Sequence, residues 1–324
     1  MTFSRFPLAV LPTPLTRAPR LERALDAPPI WIKRDDLTGF ATAGTKARAL
    51  EFLIADARIS GADRIVATGS PSSNFCAVAA LAARAAGLGC DVLYSGAPPA
   101  PRPLTVQLAT AAGARLCFDP SLAREELDAA VIAHADELTS SGTRAYSVPR
   151  GGATAVGALG CAYAARELAA QCARQHLHPA AVVVATGSGG TQAGFVAGQV
   201  GFGLPIRAIG ASVSRPVEQA RAHVLAVAQR CARLVGTAQP GPSDVDIRDA
   251  LGPGFGVASD DDRRSAELAL SYEGLLLDDT YTAKAMTLLR QMMRAGIDGP
   301  IVFWNTGGQA AALDALRHDR GGGA

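Results

Sequence analysis

Residues 182–194 constrain the fold of this chain more than any other segment. They run from an apolar stretch at 182–185 through the glycine-rich stretch 186–191 into a sequence that suits a helix. An apolar run that meets glycines before a helix predicts a buried strand, a tight turn and a helix N-terminus. Such a turn directs several backbone N–H groups and the positive end of the helix dipole toward one point. We therefore predict a phosphate-binding loop, to which Ser188 and Thr191 add hydroxyl donors.

Two familiar nucleotide motifs are not completed in this loop. A nucleoside-triphosphate loop closes with Lys and then Ser or Thr, whereas Gly190 is followed by Thr and Gln. A dinucleotide fingerprint requires glycine at its sixth position, and counting from Gly187 that position is Gln192. An NADP site stays open through three residues that could hold a 2′-phosphate: Ser212, Ser214 and Arg215.

The leading candidate is a phosphorylated cofactor without a nucleotide, pyridoxal phosphate, which needs a lysine for its Schiff base. The sequence contains Lys33, Lys46 and Lys284 and no other lysine. A Schiff-base lysine must therefore be one of these three, and the choice among them is left open by composition alone.

Composition excludes several other classes of protein. The chain has 324 residues, of which 48% are hydrophobic and 19% charged, as in a well-buried globular protein of one or two domains. Its net charge of +2 gives no reason to expect a nucleic acid or an anionic membrane as partner. The six cysteines lie far apart without a C-x-x-C, which predicts reduced thiols and no metal site. No apolar run approaches the ~20 residues of a membrane helix, so we expect a soluble, cytoplasmic protein.

Strands and helices are predicted to alternate along most of the chain. We expect strands at 30–33, 64–68, 91–95, 115–118, 144–148, 182–186, 206–212 and 300–304, and helices near 46–59, 74–86, 103–112, 121–139, 154–174, 216–234, 262–273 and 281–295. Near-continuous apolar strands in this alternation predict an α/β fold with mainly parallel sheets covered on both faces. The loops at the carboxyl ends of such strands share one cleft, here the loops 69–74, 150–152, 186–191 and 305–308.

Several short motifs, taken in order, resemble a known family. They are Leu11-Pro12-Thr13-Pro14-Leu15, Ile32-Lys33-Arg34-Asp35-Asp36-Leu37-Thr38-Gly39, Gly44-Thr45-Lys46, Ser73-Asn74, the 186–194 loop, Gly254-Phe255-Gly256, Asp278-Asp279-Thr280-Tyr281 and Thr306-Gly307-Gly308. The chain is similar to the fold-type II pyridoxal phosphate enzymes, in the branch of D-cysteine desulfhydrase, L-cysteate sulfo-lyase and 1-aminocyclopropane-1-carboxylate deaminase. The resemblance implies a two-domain, tryptophan-synthase-β-like architecture with the cofactor between the domains. It implies a large domain of residues 1–47 and 157–324, a small domain of 48–156, a homodimer and a small amino-acid substrate.

The resemblance also assigns roles to residues of this chain. Lys46 takes the position of the Schiff-base lysine, and Lys33 and Lys284 then become surface or structural groups. Ser73 and Tyr281 take positions beside the reacting amino acid, with Tyr281 as a general acid, a general base or a positioning group. The implied cofactor-binding residues are Lys46, Asn74, Thr186, Gly187, Ser188, Gly189, Gly190, Thr191 and Thr306, and the implied substrate-binding residues are Ser72, Ser73, Phe75, Phe255 and Tyr281. Ser73 and Asn74 are also suited simply to cap the helix that follows them.

The implied reaction is β-elimination, which releases a 2-oxo acid and ammonia. Thr306 matches a neutral partner of the pyridine nitrogen, which makes the ring a weaker electron sink and favours expulsion of a leaving group. The cyclopropane deaminases carry Glu where this chain has Thr282, which points away from ring opening. Three alternatives stay open: β-replacement by a second nucleophile, isomerisation of an amino acid, and a non-catalytic or nicotinamide-binding protein.

Some positions depart from the family pattern. Thr45 replaces an asparagine, and Ala49 replaces a lysine that reaches the cofactor phosphate in relatives, so the 187–191 backbone should carry more of that interaction. Ser72 replaces a glutamine, while Phe75 and Phe255 replace polar residues near the substrate. From the two phenylalanines we expect a more apolar cleft than in D-cysteine desulfhydrase, and a substrate other than free D-cysteine.

Overall fold

Two sheets organise the computed structural model, which describes residues 3–321. The strands are β1 (Leu15–Arg17), β2 (Ile30–Arg34), β3 (Arg64–Gly69), β4 (Gly89–Ser95), β5 (Arg115–Asp119), β6 (Ala145–Val148), β7 (Ala181–Thr186), β8 (Ala208–Ser212), β9 (Asp246–Asp249) and β10 (Ile301–Asn305). The helices are α1 (Pro19–Leu25), α2 (Lys46–Ile59), α3 (Asn74–Ala85), α4 (Leu104–Ala111), α5 (Leu127–Ser140), α6 (Ala155–Arg174), α7 (Gly190–Gly201), α8 (Val217–Val235), α9 (Asp260–Glu273), α10 (Thr282–Arg294) and α11 (Gln309–Gly321). Across these described residues no helix is both long and apolar enough to cross a membrane.

The larger sheet has six strands in the order β1-β2-β10-β7-β8-β9, and only β1 runs antiparallel to its neighbour. Its central strands are apolar on both faces because a separate hydrophobic cluster packs against each face. Val183 and Phe303 belong to one cluster, whereas Val184 and Trp304 belong to the other. This double burial explains the near-continuous apolar runs in the sequence and confirms the α/β class with mainly parallel sheets.

The smaller sheet has four parallel strands in the order β5-β4-β3-β6. The chain enters it after β2 and leaves it before β7, so the larger sheet is built from two separated parts of the sequence. Helices α2 and α3 pack on the smaller sheet through Leu50, Leu53 and Val78. We propose that the boundaries of the two domains lie near residues 47 and 156, as the resemblance implies.

Three short elements were missed by the sequence pattern, and one helix begins later than predicted. α1 has proline at its N-terminus, where a missing N–H costs nothing, but the prolines around it made the segment look irregular. β9 is charged at every position except the buried Ile247, and β1 is only three residues long. The helix predicted from about 121 begins at Leu127, because the Asp119 carboxylate accepts hydrogen bonds from Ser121 and closes a turn there.

A buried network of charged side chains fixes the start of α2 against the larger sheet. Arg48 donates 2.8 Å hydrogen bonds to both carboxylate oxygens of Asp35 and further bonds to Glu167 on α6. Burial alone would raise the pKa of Asp35, but Arg48, Lys33 and a hydrogen bond from Thr13 outweigh it and hold that pKa below its ordinary value. Two cations thus balance two carboxylates in a nearly dry site.

Lys33 is one of these cations, and its ion-pair partner is Glu167 rather than Asp35, the nearest carboxylate in sequence. Its amine is fully buried and contacts Glu167, Gln171 and the backbone oxygen of Thr13. Asp35 is already occupied by Arg48, so Lys33 takes the carboxylate that remains. The structural role expected of Lys33 therefore stands, in a different pairing.

We predict that Arg48→Met lowers the free energy of unfolding by about 3–5 kcal/mol, because it leaves buried carboxylates without their main partner. The Asp35 and Glu167 pKa values are both depressed in the folded protein. Their contribution is therefore full above the unfolded carboxylate pKa of about 4 and is lost as the pH falls through the folded values. Denaturant titrations at several pH values measure the free energy of unfolding, and the difference between the wild type and Arg48→Met should shrink in acid.

The matched control is Arg144→Met, which removes an arginine paired with Asp63 at the surface, where their side chains are 67% and 49% exposed. Water and salt screen such a pair, so this variant should unfold almost as the wild type does. Equal losses in the two variants would contradict a special contribution from the buried network.

Candidate functional site

A single cleft lies where the carboxyl ends of both sheets face one another. Loops following β2, β3, β6, β7 and β10 all contribute to its wall. Of the residues predicted for the site, the cleft is lined by Lys46, Ser73, Asn74, Phe75, Gly187, Ser188, Gly189, Thr191, Phe255, Tyr281 and Thr306. The strand-end loops thus come together as the parallel topology requires.

Three predicted site residues do not line the cleft. The Thr186 hydroxyl donates a 2.7 Å hydrogen bond to Gln192 inside the fold, which leaves only its backbone near the loop. Gly190 is the first residue of α7 and faces Ala153. Ser72 borders a separate small pocket near α4 and α11. Side-chain roles for these residues in binding stay predictions.

The predicted strand, turn and helix around residue 187 are confirmed. β7 ends at Thr186, and Gly189 caps α7 with a φ of 90°, a conformation that favours glycine. A β-carbon there would also lie 3.1 Å from His223 and from Val224. Within residues 3–321, the N–H groups of residues 187–189 donate to no protein acceptor. Unpaired backbone donors at a helix N-terminus are the signature of an anion site.

The carbonyl groups of the same loop are held from the opposite side. Arg215 donates to the Gly187 oxygen at 2.7 Å and Ser214 donates to the same oxygen at 2.9 Å. A ring nitrogen of His223 lies 2.9 Å from the Ser188 oxygen. These contacts fix the loop, and they occupy Ser214 and Arg215, two of the three residues that kept an NADP site open.

Lys46 is the first residue of α2 and enters the cleft because the loop before it packs tightly against the loop after β10. The Thr45 N–H donates a 3.0 Å hydrogen bond to the Thr306 oxygen. Gly44 has a φ of 57°, and a β-carbon on it would overlap that same oxygen, so only glycine fits. The Lys46 side chain keeps some contact with the cleft while protein surrounds its amine. Burial lowers its pKa, against a smaller opposing effect of Cys161.

Ser73 and Asn74 link α3 to the segment that precedes Lys46. Ser73 is the N-cap of α3 and accepts a hydrogen bond from the Cys76 N–H, which confirms the capping interpretation. The Asn74 amide donates to the Thr42 oxygen at 2.8 Å. The N-terminus of α3 therefore opens into the cleft beside Lys46, where it favours a negative charge.

Tyr281 forms the opposite wall, with its ring against Gly187 and edge-on to Phe255 at a centroid distance of 6.1 Å. Burial and, second, the charge of Asp278 raise the pKa of Tyr281, while Arg124 lowers it by less. The hydroxyl consequently stays protonated across the physiological range. It can donate a proton or a hydrogen bond, but it is a poor general base.

Asp278 lines the cleft and was missed by the sequence analysis. Its carboxylate accepts hydrogen bonds from the N–H groups of Thr280, Tyr281 and Thr282, and from the Thr282 hydroxyl. It therefore anchors the start of α10 and the position of Tyr281. The Asp-x-x-Tyr-Thr spacing carries this capping signal in the sequence.

Lys284, on the same helix, is buried rather than at the surface. Its amine contacts the backbone oxygens of Leu251 and Gly254. It thus ties α10 to the segment that bears Phe255. The expected structural role holds, and the surface position was wrong because the segment 251–254 folds over the lysine.

Three arginines also line the cleft: Arg124, Arg150 and Arg215. Arg150 lies in a loop that was expected at the cleft and Arg215 was considered only for a 2′-phosphate, whereas Arg124 was not predicted at all. Arg150 pairs with Asp128 at 2.7 Å, and the Arg124 guanidinium carbon lies 4.1 Å from the centre of the Phe255 ring. The expectation of a more apolar cleft overlooked them. Both phenylalanines line the cleft, but a cation covers the Phe255 ring, and Phe75 is largely buried in the hydrophobic cluster around α3.

Comparisons with known proteins agree with this geometry. A family model described as pyridoxal-phosphate dependent enzyme matches residues 7–307. The D-cysteine desulfhydrases of Salmonella choleraesuis (strain SC-B67) and Salmonella newport (strain SL254) are each 37% identical over 321 residues, covering 95% of both chains. The crystal structure of an ACC deaminase homologue superposes with a TM-score of 0.90 at 30% identity, covering 98% of this chain and 96% of the other.

We predict that Lys46 reacts with an aldehyde at lower pH than an exposed lysine does, because burial increases the neutral fraction of its amine. Protein without cofactor would be treated with pyridoxal phosphate and borohydride over a pH series and then digested for mass spectrometry. Labelling should concentrate on Lys46 and reach half of its maximal rate below the ordinary lysine pKa. Lys33 and Lys284, whose amines are engaged with buried oxygens, serve as internal controls. Label shared among the three lysines would contradict the assignment.

Proposed function

The chain belongs to the family of pyridoxal-phosphate dependent enzymes, and we propose that it is a lyase that eliminates the β-substituent of a small amino acid to give a 2-oxo acid and ammonia. The observation that carries this proposal is the arrangement of one buried lysine amine and an unpaired set of loop N–H groups in one cleft. The similarity to D-cysteine desulfhydrases and to an ACC deaminase homologue supports the reaction class.

The residues of the cleft fit the cofactor. In the part of the chain that the structure describes, the N–H groups of residues 187–189 have no acceptor, and they suit the cofactor phosphate, with Ser188 and Thr191 as further donors. Lys46 would hold the cofactor covalently, and Asn74 and Thr306 would contact its ring. Ala49 is buried and offers no charge, so the loop backbone carries the phosphate without the lysine that the resemblance leads one to expect there.

Proton removal is the step that we assign to Lys46. When bound, the cofactor withdraws electrons from the α-carbon of an attached amino acid and makes its α-proton acidic. Burial lowers the pKa of Lys46, which increases the neutral fraction of its amine and favours its role as the proton acceptor. The close packing of Gly44 against Thr306 keeps the amine in place beside the loop.

Tyr281 is proposed as the general acid that assists the leaving group. Its raised pKa keeps the hydroxyl protonated, and Asp278 holds its backbone through the Tyr281 N–H at 2.9 Å. The N-terminus of α3 at Ser73 is proposed to bind the substrate carboxylate, with the Ser73 hydroxyl beside it. Thr306 offers the ring nitrogen a hydroxyl, while Asp278 is occupied by the N–H groups of α10. This neutral partner favours direct expulsion of a leaving group.

We also propose, from the family resemblance, that the protein acts as a homodimer in the cytoplasm. Analytical ultracentrifugation of the purified protein would show one species of twice the chain mass. A monomer at micromolar concentration would contradict that proposal.

We predict that the purified protein absorbs near ~410–430 nm and releases a 2-oxo acid from D- or L-amino acids with a β-leaving group. Lys46→Ala should lower the rate of release by about 10³-fold or more because the proton acceptor is removed. The control is Arg174→Gln, a change at an exposed residue in the last turn of α6. Lys33 is unsuitable as a control position because its amine is buried in the charged network. Full activity of Lys46→Ala would contradict the proposal. A product that retains an added nucleophile would identify β-replacement, and loss of α-deuterium without 2-oxo acid would identify isomerisation.

We predict that Tyr281→Phe separates leaving groups by their need for a proton. Release of a thiol should slow by about 10²–10⁴-fold, whereas release of chloride from β-chloroalanine, which needs no proton, should change by less than about tenfold. Tyr163→Phe is the matched control, because Tyr163 packs between Phe52 and Phe202. Equal losses for thiol and chloride would assign Tyr281 a positioning role instead.

A further inference from the structure

The cleft holds more positive charge than its proposed cofactor and an amino acid require. Arg124, Arg150 and Arg215 come from three separate loops and all face the same cavity. Burial and, second, the neighbouring Arg150 lower the pKa values of both Arg124 and Arg215. An arginine keeps its positive charge despite such a shift. The repulsion among the three cations therefore destabilises the folded protein, unless an anion binds between them.

Two of the three arginines are occupied within the protein. Arg150 pairs with Asp128, and Arg215 donates to the Gly187 oxygen, where it supports the phosphate loop. Among residues 3–317, whose side chains the structure describes, no carboxylate lies within ion-pair distance of the Arg124 guanidinium group. The carboxylate of Asp278, although it lines the same cleft, is taken up by N–H groups at the start of α10.

Arg124 is nevertheless held in a defined position. Its guanidinium carbon lies 4.1 Å from the centre of the Phe255 ring, a distance typical of a cation–π contact. Phe255 in turn meets the Tyr281 ring edge-on, and Lys284 fixes its segment through the Gly254 oxygen at 2.8 Å. A partly buried cation is therefore presented beside the proposed general acid.

The anions of the proposed reaction already have other partners in the cleft. The unpaired N–H groups of residues 187–189 suit the cofactor phosphate, and the N-terminus of α3 suits the substrate α-carboxylate. Arg124 stands with Phe255 and Tyr281, on the wall where a substrate side chain would be eliminated. The Arg124 guanidinium at that wall has no assigned partner, and an anionic group on the substrate side chain would supply one.

We propose that Arg124 is a specificity-determining residue that binds a second anionic group on the substrate side chain. The preferred substrates would then be amino acids that carry a sulfonate, sulfinate, carboxylate, sulfate or phosphate at or beyond the β-carbon. This inference rests on the proposed function for the identity of the site, and it adds the charge of the side chain. A planar guanidinium that donates several hydrogen bonds matches the oxygens of all these groups.

The test compares two ligands of nearly equal size that differ in one charge. Aspartate and asparagine, in both configurations, would be titrated into the cofactor-bound protein while its visible absorbance is recorded. Neither has a β-leaving group, so the titration reports binding without turnover. We expect aspartate to bind about tenfold or more tightly than asparagine, as is typical of a charge-assisted hydrogen bond.

Two variants locate the preference. Arg124→Gln should bring the two affinities within about threefold of each other, whereas Arg124→Lys, which keeps the charge, should retain part of the difference. Arg174→Gln, a change at an exposed arginine in the last turn of α6, should behave as the wild type does. Absorbance of the cofactor before titration should be the same in all four proteins.

Each other outcome overturns the inference in a recognisable way. Equal affinities of the wild type for aspartate and asparagine would contradict a binding site for a second anionic group. A preference for aspartate that survives Arg124→Gln would show that another residue binds that group. Parallel weakening of both ligands in Arg124→Gln would assign Arg124 to the α-carboxylate. Loss of cofactor in that variant would assign it to the phosphate. Rates of 2-oxo acid release from cysteate and from β-chloroalanine distinguish the two proposals. Release from neither compound would contradict the proposed lyase activity. Release from β-chloroalanine with no preference for cysteate would contradict only the proposed binding of an anionic side chain.

Discussion

The pairing of Arg48 with Asp35 and Glu167 is the interaction on which the position of the site depends. Arg48 follows Lys46 by two residues in the first turn of α2. The network that holds Arg48 therefore also fixes the position of Lys46. The same contacts join the turn after β2 to α2, which packs on the smaller sheet, and to α6, which packs on the larger one. A buried guanidinium is costly unless all of its donors are used, and that requirement leaves the start of α2 little freedom to shift. The network therefore fixes the start of α2, from which Lys46 faces the loop after β7 across the cleft.

Much of this arrangement could be predicted from the sequence, because strand periodicity and glycine loops are local signals. The apolar runs of β7 and β10 identified buried parallel strands, and the glycines after β7 identified an anion site. The rest depends on contacts between distant segments. The sequence left Lys33 as a surface or a structural group, and only the fold places Glu167 beside it. The edge strand β9 carried too little apolar pattern to stand out. Arg124 gave no local signal, since its loop meets the rest of the cleft only in three dimensions.

The electrostatics of the cleft divide its chemistry among separate walls. On one side burial lowers the pKa of Lys46, which favours a neutral amine that can accept a proton. On the other side burial and the nearby Asp278 raise the pKa of Tyr281, which favours a hydroxyl that can donate one. The pKa values of the proposed acceptor and donor are therefore moved apart, which agrees with assigning Lys46 as the base and Tyr281 as the acid. The loop N–H groups and the α3 N-terminus supply fixed positive potential between them, without mobile side chains.

The central claim is that the loop after β7 binds a phosphate while Lys46 binds the rest of the same molecule. It is tested most directly by a crystal structure of the protein with pyridoxal phosphate fixed by borohydride. The account predicts continuous electron density from the Lys46 amine to the cofactor, with the phosphate within hydrogen-bond distance of the N–H groups of residues 187–189. Density joined to Lys33 or Lys284, or a phosphate bound by Arg124 and Arg150 instead of the loop, would contradict it.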